Sequence, residues 1–370
     1  MPPELPAEAH DLLALHLVPG LGPRLTAALL ERFGSARAVL QASAGQLQQV
    51  PHIGAKLAED LVRSLRTVDV PAELERMSRH NVQLHVLGSP AYPPALATIP
   101  DPPHLLYVRG SLEPGDGRAV AVVGSRHCTA YGRRVAEHLA RGLAHAGVTV
   151  ISGLARGIDG HAHRGALQAG RTLAVLAGGL SRIYPPEHKE LAEQVAAAGA
   201  LVSEASMEME PMAGMFPARN RIISGLARAV IIVEAAEKSG ALITARHAAE
   251  QGRTVLAVPG PVDQTTSSGT NALLRQGAIL VRGVDDILEE LDGVSAVASA
   301  PAAPPVPATP PPGLDDVQRR IWEFLAGQPR HLDEMAQQLH LSVPPLSTAL
   351  MTLEMKRVVR RLPGNRYERC

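Results

Sequence analysis

Four short stretches of this 370-residue chain set a hydroxyl or amide beside a cation, three of them with glycine, in an order suited to holding an anion. The first is Gly124-Ser125-Arg126, where a serine hydroxyl and free backbone amides sit beside the planar guanidinium fork that fits phosphate oxygens. Ser152-Gly153-Leu154-Ala155-Arg156-Gly157 repeats that chemistry, with Asp159 placed to cap a following helix. Phe216-Pro217-Ala218-Arg219-Asn220-Arg221 sets two arginines at a helix start next to one of only three phenylalanines, a candidate base-stacking platform. Glu234 and Glu237-Lys238-Ser239-Gly240 close the set, Lys238 being a further candidate phosphate ligand. For Arg126 the alternative is a pairing with a local carboxylate, for Lys238 a solvated side chain, and for Phe216 a place in the core.

Other chemistry is poorly supported. Asp159, His161 and His163 form D-x-H-x-H, but residues two apart on a helix point to different faces, so both histidines do not easily reach one ion. A structural His163 and no metal are expected. Serines precede glycines at 152, 224 and 239, yet none lies in G-x-S-x-G and no partner acid or base is set by spacing. No catalytic residue is assigned.

The elements that must position these stretches alternate as strand and helix. Continuous apolar runs at 119–123, 148–151, 172–177, 200–202, 229–233, 254–258 and 279–281 read as buried parallel strands. Helices are expected at 130–146, 158–169, 187–198, 219–226, 240–250 and 269–276. The cationic stretches then fall at βα turns, on the sheet edge where an open α/β fold gathers free amides. The G-x-G-x-x-G spacing of a dinucleotide site is absent after the first strand, so the edge suits a polyanion better than a cofactor.

The flanks differ. Residues 1–80 read as short helices, with two Gly-containing turns (Val18 to Pro23 and Val50 to Ala55) that each lead into a helix start. This is the pattern of tandem helix–hairpin–helix units, or of a packing module that never meets DNA. Residues 81–117 are Pro-rich with two apolar runs and read as an extension of the sheet, giving a second domain over 81–292. An Ala/Pro linker is expected at 293–313. Residues 314–370 follow as three helices and a hairpin around Pro363-Gly364-Asn365, the order of a winged helix, which serves DNA or protein partners alike.

Bulk composition narrows the class. Lys+Arg and Asp+Glu are 36 each, so any electrostatic footprint is local. Two cysteines give no disulfide scaffold, and no leader or membrane span is visible, so a cytoplasmic protein is expected. Aromatics are 2% of residues, which leaves few platforms for base stacking.

The order VGSR…YG, SGLARGID…AH…AL, YP, SE, FPARNRII, VEA…SGALITA and AVPG resembles the DNA-processing protein A family (DprA/Smf) across residues 119–283. The resemblance implies an extended Rossmann-like sheet that binds single-stranded DNA without catalysis or cofactor, protects incoming strands in transformation, forms a homodimer, and helps load the RecA recombinase. It places DNA contacts on Arg126, Phe216, Arg219, Asn220, Arg221, Lys238, Ser239 and Gly240, and self-association near Asn271 to Ala278. The turn chemistry above adds Gly124, Ser125, Ser152, Gly153 and Arg156 as expected contacts, and Lys189 is added as a nearby cation. The chain departs from the family at Pro186 and Ala213, where many relatives carry lysine; Arg182 and Lys189 lie near enough in sequence to stand in. The alternative is a nucleotide hydrolase of the lysine-decarboxylase-like group. Those enzymes carry P-G-G-x-G-T-x-x-E, and the corresponding turn here has Thr244-Ala245-Arg246 without the carboxylate.

Overall fold

Runs such as AVAVV and AVII carry only apolar residues, and in the computed structural model they become strands buried along their whole length. The structure describes residues 5–298, 314–325, 330–339, 341–356, 358–362 and 366–369. Two units result, Met1–Val294 and Ser295–Cys370.

The first unit opens with six helices, α1 (Ala7–His16), α2 (Pro23–Phe33), α3 (Ala36–Leu40), α4 (Ala44–Leu47), α5 (Ala55–Leu65) and α6 (Val70–Arg79). As expected, Gly22 and Gly54 stand at the starts of α2 and α5, with extended backbone and no side-chain cap on the first-turn amides. Strand β1 (Val82–Val86) and, after the short helix α7 (Pro94–Ala97), strand β2 (Leu105–Gly110) follow. They pair antiparallel with each other, and β2 pairs antiparallel with β6 (Ala200–Ser203), so this segment does extend the sheet.

The remaining strands are β3 (Ala119–Val123), β4 (Thr149–Ser152), β5 (Thr172–Leu176), β7 (Ala229–Ile232), β8 (Thr254–Ala257) and β9 (Ile279–Leu280). The sheet order is β1-β2-β6-β5-β4-β3-β7-β8-β9, parallel from β6 to β9. Because β4 and β7 flank β3 on opposite sides, the chain order reverses there. That reversal opens a crevice at the carboxyl ends of β3 and β7.

Helices cover both faces. On one, α8 (Ala130–His145), α9 (Ile158–Leu167) and α14 (Val284–Ala298) contribute Leu139, Leu143, Ala162 and Ile287 to a core with Val120 and Ile231. On the other, α11 (Met215–Leu226) and α12 (Ala241–Glu250) pack Ile222, Ile223 and Ala245 against Ala121, Val230 and Val175. Helix α10 (Lys189–Ala198) packs beside α9 on the first face, and α13 (Ser268–Arg275) sets Leu273 against the second. Among the described residues no helix is long and apolar enough to cross a membrane.

Two boundaries differ from the sequence expectation by more than two residues. Helix α11 begins at Met215 instead of 219, because proline is tolerated in a first helical turn, and Pro217 sits there. Helix α14 runs through Ala298, consuming the first residues assigned to the linker; the first proline of that stretch comes only at Pro301. Residues 299–313 of the expected linker lie outside the described residues, as does the expected turn at 363–365.

The second unit contains α15 (Asp316–Phe324), β10 (Arg330–His331), α16 (Leu332–Gln338), α17 (Val343–Met355), β11 (Val359–Leu362) and β12 (Arg366–Arg369). Its antiparallel sheet has the order β10-β12-β11, and Ile321, Met335, Leu350 and Leu353 form its core. This is the winged-helix order expected.

A shared core joins the helical segment to the sheet: Leu13, Leu29 and Met77 cluster with Leu105, Tyr107, Val195 and Leu201. Glu73, buried on α6, accepts from the Met207 amide at 2.7 Å. Replacing Leu13 by Ala is expected to cost about 2–5 kcal/mol. Hydrogen exchange checks the coupling: β2 and β6 amides should lose protection together with α1. Loss confined to α1–α6 would show two independent cores.

Candidate functional site

The β3–α8 turn is held by the turns beside it. Ser125 N–H donates to the Glu234 carbonyl at 2.7 Å, and Ile158 N–H donates to the Ser125 carbonyl at 3.1 Å. Gly157 has φ +73°, and a Cβ there would collide with the Ser125 carbonyl and lie 2.7 Å from that of Arg126. At Gly124 a Cβ would lie 2.6 Å from the Ile158 side chain. These glycines let two turns pack backbone to backbone, and Arg126 projects from the packed pair.

Arg126 stands over the Phe216 ring, with its guanidinium carbon 4.7 Å from the ring centre. The Tyr184 ring meets Phe216 edge-on at 5.8 Å, and Arg156 lies 5.8 Å from the Tyr184 centre. Arg156 also pairs with Glu187 at 2.5 Å. Arg126, Arg156, Arg182, Tyr184, Phe216 and Arg219 line one pocket of the sheet edge. It adjoins an open cleft of about 660 Å³ that continues past Asn220 to Ser239, Gly240 and Thr244.

Arg219 forms the floor. Only 6% exposed, it donates through Nη1 to the Gly153 carbonyl at 2.8 Å and to the Val175 carbonyl. Burial draws its pKa down to about 10, with the nearby Asp159 acting in the opposite sense, so it remains a cation at neutral pH. Asp159 accepts from the Gly153 amide at 3.2 Å, and burial pushes its carboxyl up against the pull of Arg219.

The structure thus gathers Gly124, Arg126, Gly153, Arg156, Phe216, Arg219, Asn220, Ser239 and Gly240 around the pocket and cleft. Asn220 also ties α11 to the β7–α12 turn by donating to the Gly240 carbonyl at 3.3 Å. Ser125 supports the turn beneath Arg126, its hydroxyl accepting from His127 N–H.

Other residues expected at the site are engaged elsewhere. The buried Ser152 hydroxyl donates to the Val122 carbonyl at 2.7 Å, so it braces β4 against β3. The Gly153 amide is taken by Asp159. Arg221, 4% exposed, reaches Glu204 at 2.8 and 2.9 Å and Asp101 at 3.1 Å, so its charge is neutralised away from the cleft. Lys189 and Lys238 are exposed but line neither the pocket nor the cleft. Ala213 does line the cleft, and of the two possible substitutes for the missing lysines only Arg182 reaches the site. Tyr184 is a site residue that the sequence reading misses; its one signal there is the Tyr-Pro dipeptide, which folds with a cis bond.

The histidine motif divides. His161 Nδ1 lies 2.6 Å from Glu137 on α8, whereas buried His163 Nδ1 lies 2.8 Å from the Thr172 hydroxyl on β5. Their different partners follow from their two-residue spacing on α9.

With this geometry in hand, comparison with known proteins is specific. Residues 83–292 match the family described as DNA recombination-mediator protein A, 303–365 the DprA winged helix domain, and 11–67 the SAM-like helix-hairpin-helix tandem. Protein Smf of Synechocystis is 33% identical over 96% of this chain and 98% of its own length. The structure of DNA processing protein A from Streptococcus pneumoniae is similar with a TM-score of 0.67 and 33% identity, covering 77% of this chain and 99% of that one. DNA processing protein A from Helicobacter pylori, whose structure addresses its single-stranded DNA binding mode, gives a TM-score of 0.52 and 32% identity over 57% of this chain and 97% of that one.

The buried imidazole supplies a pH test. Burial draws the His163 pKa from 6.5 down to about 3, so the unfolded chain binds the extra proton first. Stability from this group is therefore present above pH 6.5 and lost as pH falls toward 3, by up to ~1.4 kcal/mol per pH unit. Urea denaturation of wild type and His163→Asn should show the wild type losing ground relative to the variant as pH drops from 7 to 4. A pH-independent difference would mean that His163 titrates normally.

Proposed function

The chain belongs to the DNA recombination-mediator protein A family, and from that premise we propose that it binds single-stranded DNA without sequence preference and acts as a recombination mediator, not as an enzyme. The observation that carries this reading is Arg126 stacked on Phe216 at 4.7 Å beside the buried Arg219. A guanidinium on an aromatic face offers a phosphate fork and a stacking surface at one place, which suits a flexible strand more than a rigid duplex.

On this reading the phosphates follow Arg126, Arg156 and Arg182, while bases lie against Phe216 and Tyr184. Ser239 and Gly240 guide the strand along the cleft. Lys189 and Lys238, exposed nearby in the chain, act on the longer-range field and not by direct contact. The binding mode studied in the Helicobacter pylori relative supports the class of ligand. Protection of incoming strands, delivery of the strand to RecA, and work in the cytoplasm follow from the same family reading. Self-association is assigned to Asn271 to Ala278, the later part of α13 and the entry to the short edge strand β9; an edge strand leaves backbone groups available to a second copy. The non-enzymatic reading is favoured over a nucleotide hydrolase because Asp159, the carboxylate lining the cleft, is committed to the Gly153 amide.

Fluorescence anisotropy with labelled oligo-dT and a matched duplex, at several salt concentrations, tests the proposal. Single strand should bind more tightly than duplex, and Arg126→Ala should weaken it by roughly tenfold or more. The log–log salt slope should fall by about 0.7 for each phosphate that the variant no longer neutralises. Equal binding of duplex, or an unaffected variant, would move the DNA site out of this cleft.

A further inference from the structure

One residue holds both ends of the segment that carries Arg126. The Glu234 carbonyl accepts from Ser125 N–H at 2.7 Å. Its carboxylate accepts from Thr129 N–H at 3.1 and 3.2 Å and from the Thr129 hydroxyl at 2.6 Å. Glu234 is 3% exposed, and Gly132 leaves room for it, since a Cβ there would lie 2.6 Å from Oε2. Thr129 in turn caps α8 by accepting from Gly132 N–H at 3.1 Å. The carboxylate therefore sits where the first turn of a 16-residue helix concentrates positive potential.

We infer that Glu234 is the positioning residue for DNA binding: it clamps Ser125 and Thr129 from the end of β7 and so presents Arg126 over Phe216 before the strand arrives. The inference rests on the reading of the cleft given above. Pre-ordering matters because a five-residue turn ordered only on binding would charge its entropy against affinity. Glu234 itself does not face the DNA side. It lines a separate hollow with Thr129, Tyr131, Pro259, Gly260 and Gln264, among whose described lining residues no arginine or lysine stands. The protein's own carboxylate thus occupies the helix start at which α/β sheets usually seat a ligand phosphate.

The test is a mutant cycle in the full chain, read by anisotropy with labelled oligo-dT across salt concentrations and accompanied by thermal melting. Glu234→Gln replaces one accepting oxygen by a donor. Thr129→Val removes the hydroxyl, and Thr129→Ser keeps it. Glu234→Gln and Thr129→Val should each weaken binding by roughly tenfold and flatten the salt slope toward that of Arg126→Ala, while Thr129→Ser behaves as wild type. Neither change should weaken binding further in the Arg126→Ala background, because both act through that guanidinium. If Glu234→Gln does not fold, the Thr129 pair decides. Full additivity with Arg126→Ala, or unchanged affinity in Glu234→Gln and Thr129→Val while Arg126→Ala is impaired, overturns the positioning role alone. An unimpaired Arg126→Ala overturns the cleft reading and this inference with it.

Discussion

A single buried cation organises the carboxyl edge of the sheet. Arg219 reaches down from α11 to the carbonyls of Gly153 and Val175, at the ends of β4 and β5, and so ties the helix to two strands at once. Burying a guanidinium is costly unless its hydrogens are satisfied and a counter-charge is near. The two carbonyls satisfy Nη1 and Asp159 lies near as counter-charge, while Nε has no partner among the described residues; the downward shift to about 10 leaves the charge intact. Gly153 is bound to this arrangement, since a Cβ would lie 2.6 Å from the guanidinium. Setting α11 in this way brings Phe216, one turn before Arg219, up against Arg126.

That constraint also explains the sorting of charge in a chain with no net charge. Arg221 is matched by Glu204 and Asp101, Arg171 by Asp116 and Glu113, and Arg109 by Glu193. Each pairing cancels a cation at short range. In the pocket Arg126, Arg182 and Arg219 have no carboxylate bonded to them among the described residues, whereas Arg156 is paired. The positive potential of the sheet edge is therefore concentrated by what is neutralised elsewhere, and low-dielectric walls focus it further.

The strands are legible in the sequence because parallel strands covered on both faces must be continuously apolar, and 119–123 and 229–232 are. The βα turns are legible through their glycines, although the reason differs: Gly124 and Gly157 serve turn-on-turn packing more than ligand approach. The two arginines of the R-N-R run look alike in sequence. Two residues apart on a helix they diverge by about 200°, which sends Arg219 under the cleft and Arg221 to Glu204. Ser152 misleads for a similar reason, because a serine ending a strand can brace its neighbour as readily as bind a ligand. The shared core of the N-terminal helices and the sheet is illegible, since apolar faces far apart in sequence carry no mark of their partner.

The scarcity of aromatics becomes a positional statement once the fold is known. Nine aromatic residues serve 370 positions, yet Phe216 and Tyr184 meet each other and two guanidiniums in one pocket. Elsewhere Tyr107 and Tyr92 are buried in cores and Trp322 packs under Arg369 in the second unit. A strand in the cleft would thus meet stacking and cations together at the Arg126–Phe216 end, since no arginine or lysine lines the stretch from Asn220 to Thr244. Binding of that kind draws its affinity from phosphates and its geometry from one aromatic step. Pro186 and Ala213, where the resemblance leads to an expectation of lysine, fit the same division of labour. They carry no charge on a flexible stem, while Arg126, stacked on Phe216, and Arg219, bonded to two carbonyls, keep charge on planar groups held by the fold.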